Sequence, residues 1–141
     1  MAKDLYHDLV KEALIGEGWT ITDDPLEVPS LISTFEIDLG AEKIITAEKG
    51  TEKIAVEIKS FIGRSVLHDF FKAVGQFAFY YLALKEAEPD RELYLAIPDA
   101  AYEFLFRDPN THEISKINKL KFIVYSISDK NIKLWTVSPI K

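Results

Sequence analysis

The stretch that most restricts the fold is 54-IAVEIKS-60, followed by some twenty residues of helical periodicity and then by 93-LYLAIP-98. In residues 51–61, TEKIAVEIKSF, alternation sets Ile54, Val56 and Ile58 on one face of a strand and Ala55, Glu57 and Lys59 on the other. The first face belongs to a core; the second presents an acid and a base side by side. The helix is predicted from Ser65 to Lys85, with Leu67, Phe70, Phe71, Val74, Phe77, Ala78, Tyr81 and Leu84 as its core stripe and Asp69, Lys72, Gln76 and Tyr80 on the remaining face. A helix of that length permits the crossover that a parallel pair of strands requires, so 93-LYLAIP-98 is expected beside the Glu57 strand in the same sheet.

The rest of the chain fits one α/β unit. Helix one is predicted from Asp4 to Glu17, with Leu5, Leu9, Ala13 and Leu14 inward and Gly18 near its end. The Pro-bearing segment 23-DDPLEVPSLIST-34 reads as loop. Strands are expected at Glu36 to Leu39, Lys43 to Ala47 and Lys53 to Lys59, with 48-EKGT-51 turning the last two into an antiparallel pair. Beyond the central strand come a short helix from Asp99 to Phe106, a loop at 107-RDPNTHE-113, and strands at Lys121 to Ser126 and Asn131 to Thr136.

Asp38, on a neighbouring strand, completes a pattern with chemical content. Hard cations prefer carboxylate, carbonyl and water oxygens, so Asp38, Glu57 and the Ile58 carbonyl form a partial octahedron for Mg²⁺ or Mn²⁺. Such a metal polarises a phosphate and activates water, while the Lys59 ammonium orients or deprotonates that water and stabilises charge on the phosphoryl oxygens. The same Glu-x-Lys is also the ordinary signature of a solvated sheet face with a weak ion pair. Gln76 and Tyr80, four residues apart, share a helix face. They read either as a Q-x-x-x-Y arrangement beside the catalytic strand or as a surface amide and an aromatic with its hydroxyl in water.

With Asp38, Glu57-x-Lys59 and Gln76-x-x-x-Tyr80 assembled, the chain resembles the RecB-type branch of the PD-(D/E)XK nuclease superfamily. Longer strings, 6-YHDLVKEALIGEGWTITDDPL-26, 38-DLGAEKIITAEKG-50, 54-IAVEIKSF-61 and 93-LYLAIP-98, are similar to the XisH family, the excision controlling factors of the fdxN element. That resemblance implies a restriction-endonuclease-like three-layer fold, with a mixed β-sheet flanked by helices. It also implies a part in programmed DNA rearrangement beside a recombinase and a small companion, XisI. The superfamily pattern carries over to Asp38, Glu57, Lys59 and Gln76, with Asp38 and Glu57 as metal ligands, Tyr80 as an outer member and Glu12 as a helix-one acid. Ile37 stands where the superfamily's name has Pro. A controlling factor need not cut DNA, so a non-catalytic scaffold that binds XisI or DNA is the second reading.

At 141 residues and 48% hydrophobic, the chain is expected to be one domain, 1–141, with a sizeable core. It has no cysteine, which excludes disulfides and thiolate metal sites and favours a cytoplasmic setting. The N-terminal stretch is neither a signal peptide nor a membrane span. His7, His68 and His112 lack ligand spacing and are placed at helix surfaces and in a loop. The net charge of -6 argues against an extended duplex-binding face, although from Ser115 onward six lysines oppose only Asp129. Those lysines read more readily as protection of a strand edge than as a phosphate patch. Phe70, Phe71, Phe77, Phe79, Tyr80 and Tyr81 crowd one helix, and a single stripe cannot turn all six inward. We therefore expect a homodimer or an interface for an XisI-like partner.

Overall fold

The structure, a computed structural model, describes residues 5–24, 44–62 and 65–136. In chain order the elements are α1 (Leu5–Gly16), β1 (Thr20–Asp23), β2 (Ile44–Lys49), β3 (Glu52–Ile58), α2 (Val66–Ala87), β4 (Arg91–Pro98), α3 (Asp99–Leu105), α4 (Pro109–Ile117), β5 (Phe122–Ser126) and β6 (Asn131–Trp135). The strands form a mixed sheet in the order β1-β2-β3-β4-β5-β6. β3, β4 and β5 run parallel, and β2 and β6 are antiparallel to their inner neighbours. The expected pairings of the Glu57 strand are both present: Ile44 lies opposite Glu57 across β2/β3, and Leu95 lies beside Glu57 across β3/β4. The β2–β3 turn is two residues long, and Gly50 takes the positive φ (62°) that tight hairpins demand.

Alternation along the strands divides the interior in two. Ile54, Val56 and Ile58 pack with Val10 and Leu14 of α1, whereas Ala55, Leu93, Leu95 and Ile97 pack with α2 and α3. Both faces of β3 are therefore covered, and the polar face expected to meet water is buried: Glu57 is 1% exposed. Parallel strands covered on both sides read as nearly continuous apolar runs, which is the character of 93-LYLAIP-98.

Several boundaries differ from the sequence-based expectation. The segment 107–113 is not a loop. Asp108 accepts from the Asn110 amide at 2.9 Å and Pro109 occupies the first turn, so these residues cap and open α4. β1 forms from 20-TITD-23, a four-residue stretch too short for its alternation to predict a strand. α2 is rotated from its expected orientation: Phe70, Ala73, Phe77, Tyr80 and Leu84 face the core, while Leu67 and Phe71 face outward. His7 is buried rather than on the surface, and its Nε2 lies 2.9 Å from Asp24 Oδ1. The expected strand at Glu36 to Leu39 and most of the Pro-bearing segment lie outside the described residues. Among the described residues no helix is long and apolar enough to cross a membrane.

Candidate functional site

Glu57 and Lys59 occupy the carboxyl end of β3, and the chain there is fixed from three directions. The Lys59 amide continues the parallel ladder by donating to the Ala96 carbonyl at 2.9 Å. Its own carbonyl accepts from the Tyr125 hydroxyl at 2.8 Å, a bond spanning 66 residues of sequence. Two residues on, Phe61 adopts φ of 54°, a left-handed conformation unusual for an aromatic residue, as the chain leaves the sheet towards α2. Crevices outside the carboxyl ends of parallel strands are where open α/β sheets bind ligands.

On this frame the side chains converge. Lys59 Nζ lies 3.3 Å from Glu57 Oε2 and donates to Gln76 Oε1 at 2.5 Å. Gln76 is brought there by α2, whose first turn is set by Ser65 accepting from the His68 amide at 3.1 Å. The structure thus places Glu57, Lys59 and Gln76 together, with the lysine between an acid and an amide oxygen. Asp38 lies outside the described residues. Tyr80 does not present its hydroxyl to water; it is 4% exposed and part of the core under α2. Glu12 is exposed on α1, which packs on the opposite face of the sheet, so it does not join these residues.

A second polar group shares the Glu57 side of the sheet. Thr46, opposite Ala55 on β2, donates to Asp23 Oδ2 at 3.0 Å and sits 2.5 Å from Thr22 Oγ1, which is left to donate to it. The register shift between Ile21 and Asp23 is what turns Asp23 to this side. Sequence reasoning missed this trio and Tyr125; the polar alternation of Thr20 and Thr22 was its only local signal. Among the described residues no group of three His, Cys, Asp or Glu side chains is gathered as a metal site. Among the described residues a hard cation would find one buried carboxylate at this end of β3, that of Glu57, and would need a second acid from elsewhere in the chain.

Two cavities of about 460 Å³ lie away from this site. One, at the opposite end of β3, is lined by Trp19, Tyr94 and Trp135. Trp135 stacks on Trp19 and meets Tyr94 edge-on. Burial pushes the Tyr94 hydroxyl above its ordinary pKa. The other, beside α1, is bordered by Tyr6, Leu9 and Ile127.

Residues 1–133 match the family described as XisH protein. The chain is 40% identical to a fdxN element excision controlling factor protein from Anabaena variabilis, whose crystal structure superposes with a TM-score of 0.85 over 94% of this chain and 98% of that one. It is 37% identical to an XisH family protein from Nostoc punctiforme PCC 73102, with the same TM-score and the same coverage. None of the curated proteins matches.

Proposed function

The chain belongs to the XisH family, and from that premise we propose that it is an excision controlling factor in programmed DNA rearrangement, with a PD-(D/E)XK-like site suited to divalent-metal-dependent phosphodiester cleavage. The observation that carries the second half is the Glu57–Lys59–Gln76 constellation at the carboxyl end of β3. A buried ion pair costs about as much hydration as its attraction returns, and well-packed apolar residues in its place are often as stable or more so. Stability alone gives little reason to keep it, whereas a charged cluster at the carboxyl end of a parallel strand is where a reaction site is expected. Helices on both faces of a mixed sheet further support a restriction-endonuclease-like three-layer fold.

In this reading Glu57 and Asp38 would hold Mg²⁺ or Mn²⁺, which when bound polarises a phosphoryl oxygen and acidifies a water. Gln76 holds the Lys59 ammonium by its amide oxygen and so limits the rotamers of a long side chain. Tyr125 fixes the backbone beneath it. Lys59 is thereby ready to meet a phosphate oxygen without reorganising, which is the condition for electrostatic stabilisation to count in the transition state.

Plasmid cleavage with Mn²⁺ tests the reading. Glu57→Ala should abolish nicking, and Lys59→Ala should lower turnover by about 10²–10³-fold with metal affinity unchanged, as expected of a group acting in the transition state. Undiminished cleavage by Glu57→Ala would sink the proposal. The scaffold reading, favoured by the net charge of -6, predicts instead that excision in cells, and binding of DNA or an XisI-like partner, survive that substitution.

A further inference from the structure

We propose that the outward face of α2 is the docking surface for a second copy of this chain. A helix that is apolar all round is normally buried all round. α2 is apolar on two opposite sides, with Lys72 and Gln76 between them, yet has only one side against the sheet. Opposite its core residues runs a strip in which Leu67 is 47% exposed, Phe71 55%, Phe79 38% and Leu82 64%. Full burial of an aromatic side chain covers roughly 150–250 Å², so these four leave roughly 350 Å² of apolar surface in water on each copy. A standard interface hides about 800 Å² per partner, of which about 65% is apolar in homodimers. The four side chains therefore supply about two thirds of the apolar area that a stable dimer needs. Gly75 and Ala78 lie within the same strip.

The order of these residues selects a second copy as the occupant. An isologous contact must be self-complementary, with residue i against j and j against i. Leu67, Phe71, Gly75, Phe79 and Leu82 are nearly palindromic about Gly75. Two antiparallel α2 helices crossing at a two-fold axis there would set Phe71 of each copy against Phe79 of the other and Leu67 against Leu82. Lys72 is the one charged residue from Phe70 to Leu84, and a two-fold axis at Gly75 sets it beside Ala78 of the other copy and not beside its own counterpart. A glycine in mid-helix weakens the helix relative to alanine. Nothing lies within 4 Å of where a Cβ on Gly75 would stand. Close approach of a second backbone gives that glycine a use, and it ties the two copies together one residue from Gln76.

Sedimentation velocity from about 1 to 100 µM should find a species of twice the 16.1 kDa chain mass. The double variant Phe71→Glu/Leu82→Glu changes two exposed positions, so its circular dichroism and melting temperature should be retained while dimer affinity falls by about 100-fold or more. The chain has no cysteine, so Gly75→Cys should oxidise to a covalent dimer, whereas Glu113→Cys on α4 should not. A monomer at about 100 µM overturns the proposal, as do undiminished association of the double variant and equal cross-linking of Glu113→Cys.

Discussion

A carboxylate and an ammonium 3.3 Å apart and largely removed from water must each lose a hydration shell, and at the end of β3 their mutual attraction and the Gln76 amide oxygen offset part of that loss. Asp24 offers a contrasting, ordinary use of charge. Burial pushes its carboxyl up, but the Lys11 ammonium at 2.8 Å and the charge of His7 outweigh that, and its pKa falls below the usual 3.8. The folded value is thus below the unfolded one. The pair therefore stabilises the fold above the ordinary carboxylate range, and its contribution disappears as pH drops through the lowered folded value. Asp24→Asn should cost about 0.5–1 kcal/mol at pH 7, given the partial exposure of the pair, and less at pH 2; urea melts at the two pH values measure the difference. Equal losses at both would remove the electrostatic explanation. At this scale Glu57 and Lys59 were legible because strand alternation sets residues two apart on one side. Thr46, Asp23 and Tyr125 were not, since each matters only through a partner at least 23 residues away that strand register or a β-bulge supplies.

Among the elements, β3, α2 and β4 were legible together because each signal was long: seven alternating residues, twenty-two helical ones and eight nearly all apolar. The facing of α2 was not legible, because its apolar residues cover most of the helix surface and periodicity alone does not say which of them meet the sheet. The short helix α4 failed for the opposite reason. Asp108-Pro109 is a start signal that resembles a turn signal, and a mean apolar content too low for a core stripe hid the rest. Only two of its residues, Thr111 and Ser115, are buried. Helices anchored so lightly depend on their caps. Asp108→Ala and Ser65→Ala each remove an acceptor for an otherwise unsatisfied amide, and each should lower stability by about 1 kcal/mol. In Asp108→Ala, amide exchange should accelerate over 109–117 and hardly elsewhere, because α4 opens locally. In Ser65→Ala the loss should appear as a global shift of the urea midpoint, since α2 spans the core. Exchange that accelerates uniformly in Asp108→Ala would show α4 to be an integral part of the cooperative unit.

For the molecule as a whole, the -6 charge and the buried acid at the end of β3 act in the same direction: both favour a bound cation more than a bound polyanion. The lysines beyond Ser115 do little to reverse this. Lys121 is paired with Glu92 and Lys133 with Asp129, so the segment that looked basic in sequence is partly neutralised within the fold. The proposed metal should therefore register first as stability. A ligand that binds only the folded state, present at about 100 times its Kd, adds about 2.7 kcal/mol, which in a domain of this size is roughly 8–10 °C in Tm. Mn²⁺ titrated into the metal-free protein should produce a shift of that order, and Ca²⁺ of similar charge but larger radius a different one. Glu57→Gln keeps the side-chain volume and an oxygen for Lys59 while removing the charge. Its melting temperature should respond to Mn²⁺ far less than that of the wild type, whereas Asp129→Asn, in an exposed surface pair, should respond as the wild type does. Equal shifts in all three proteins would mean that the ions act on net charge alone, and that the carboxylate at the end of β3 holds no metal.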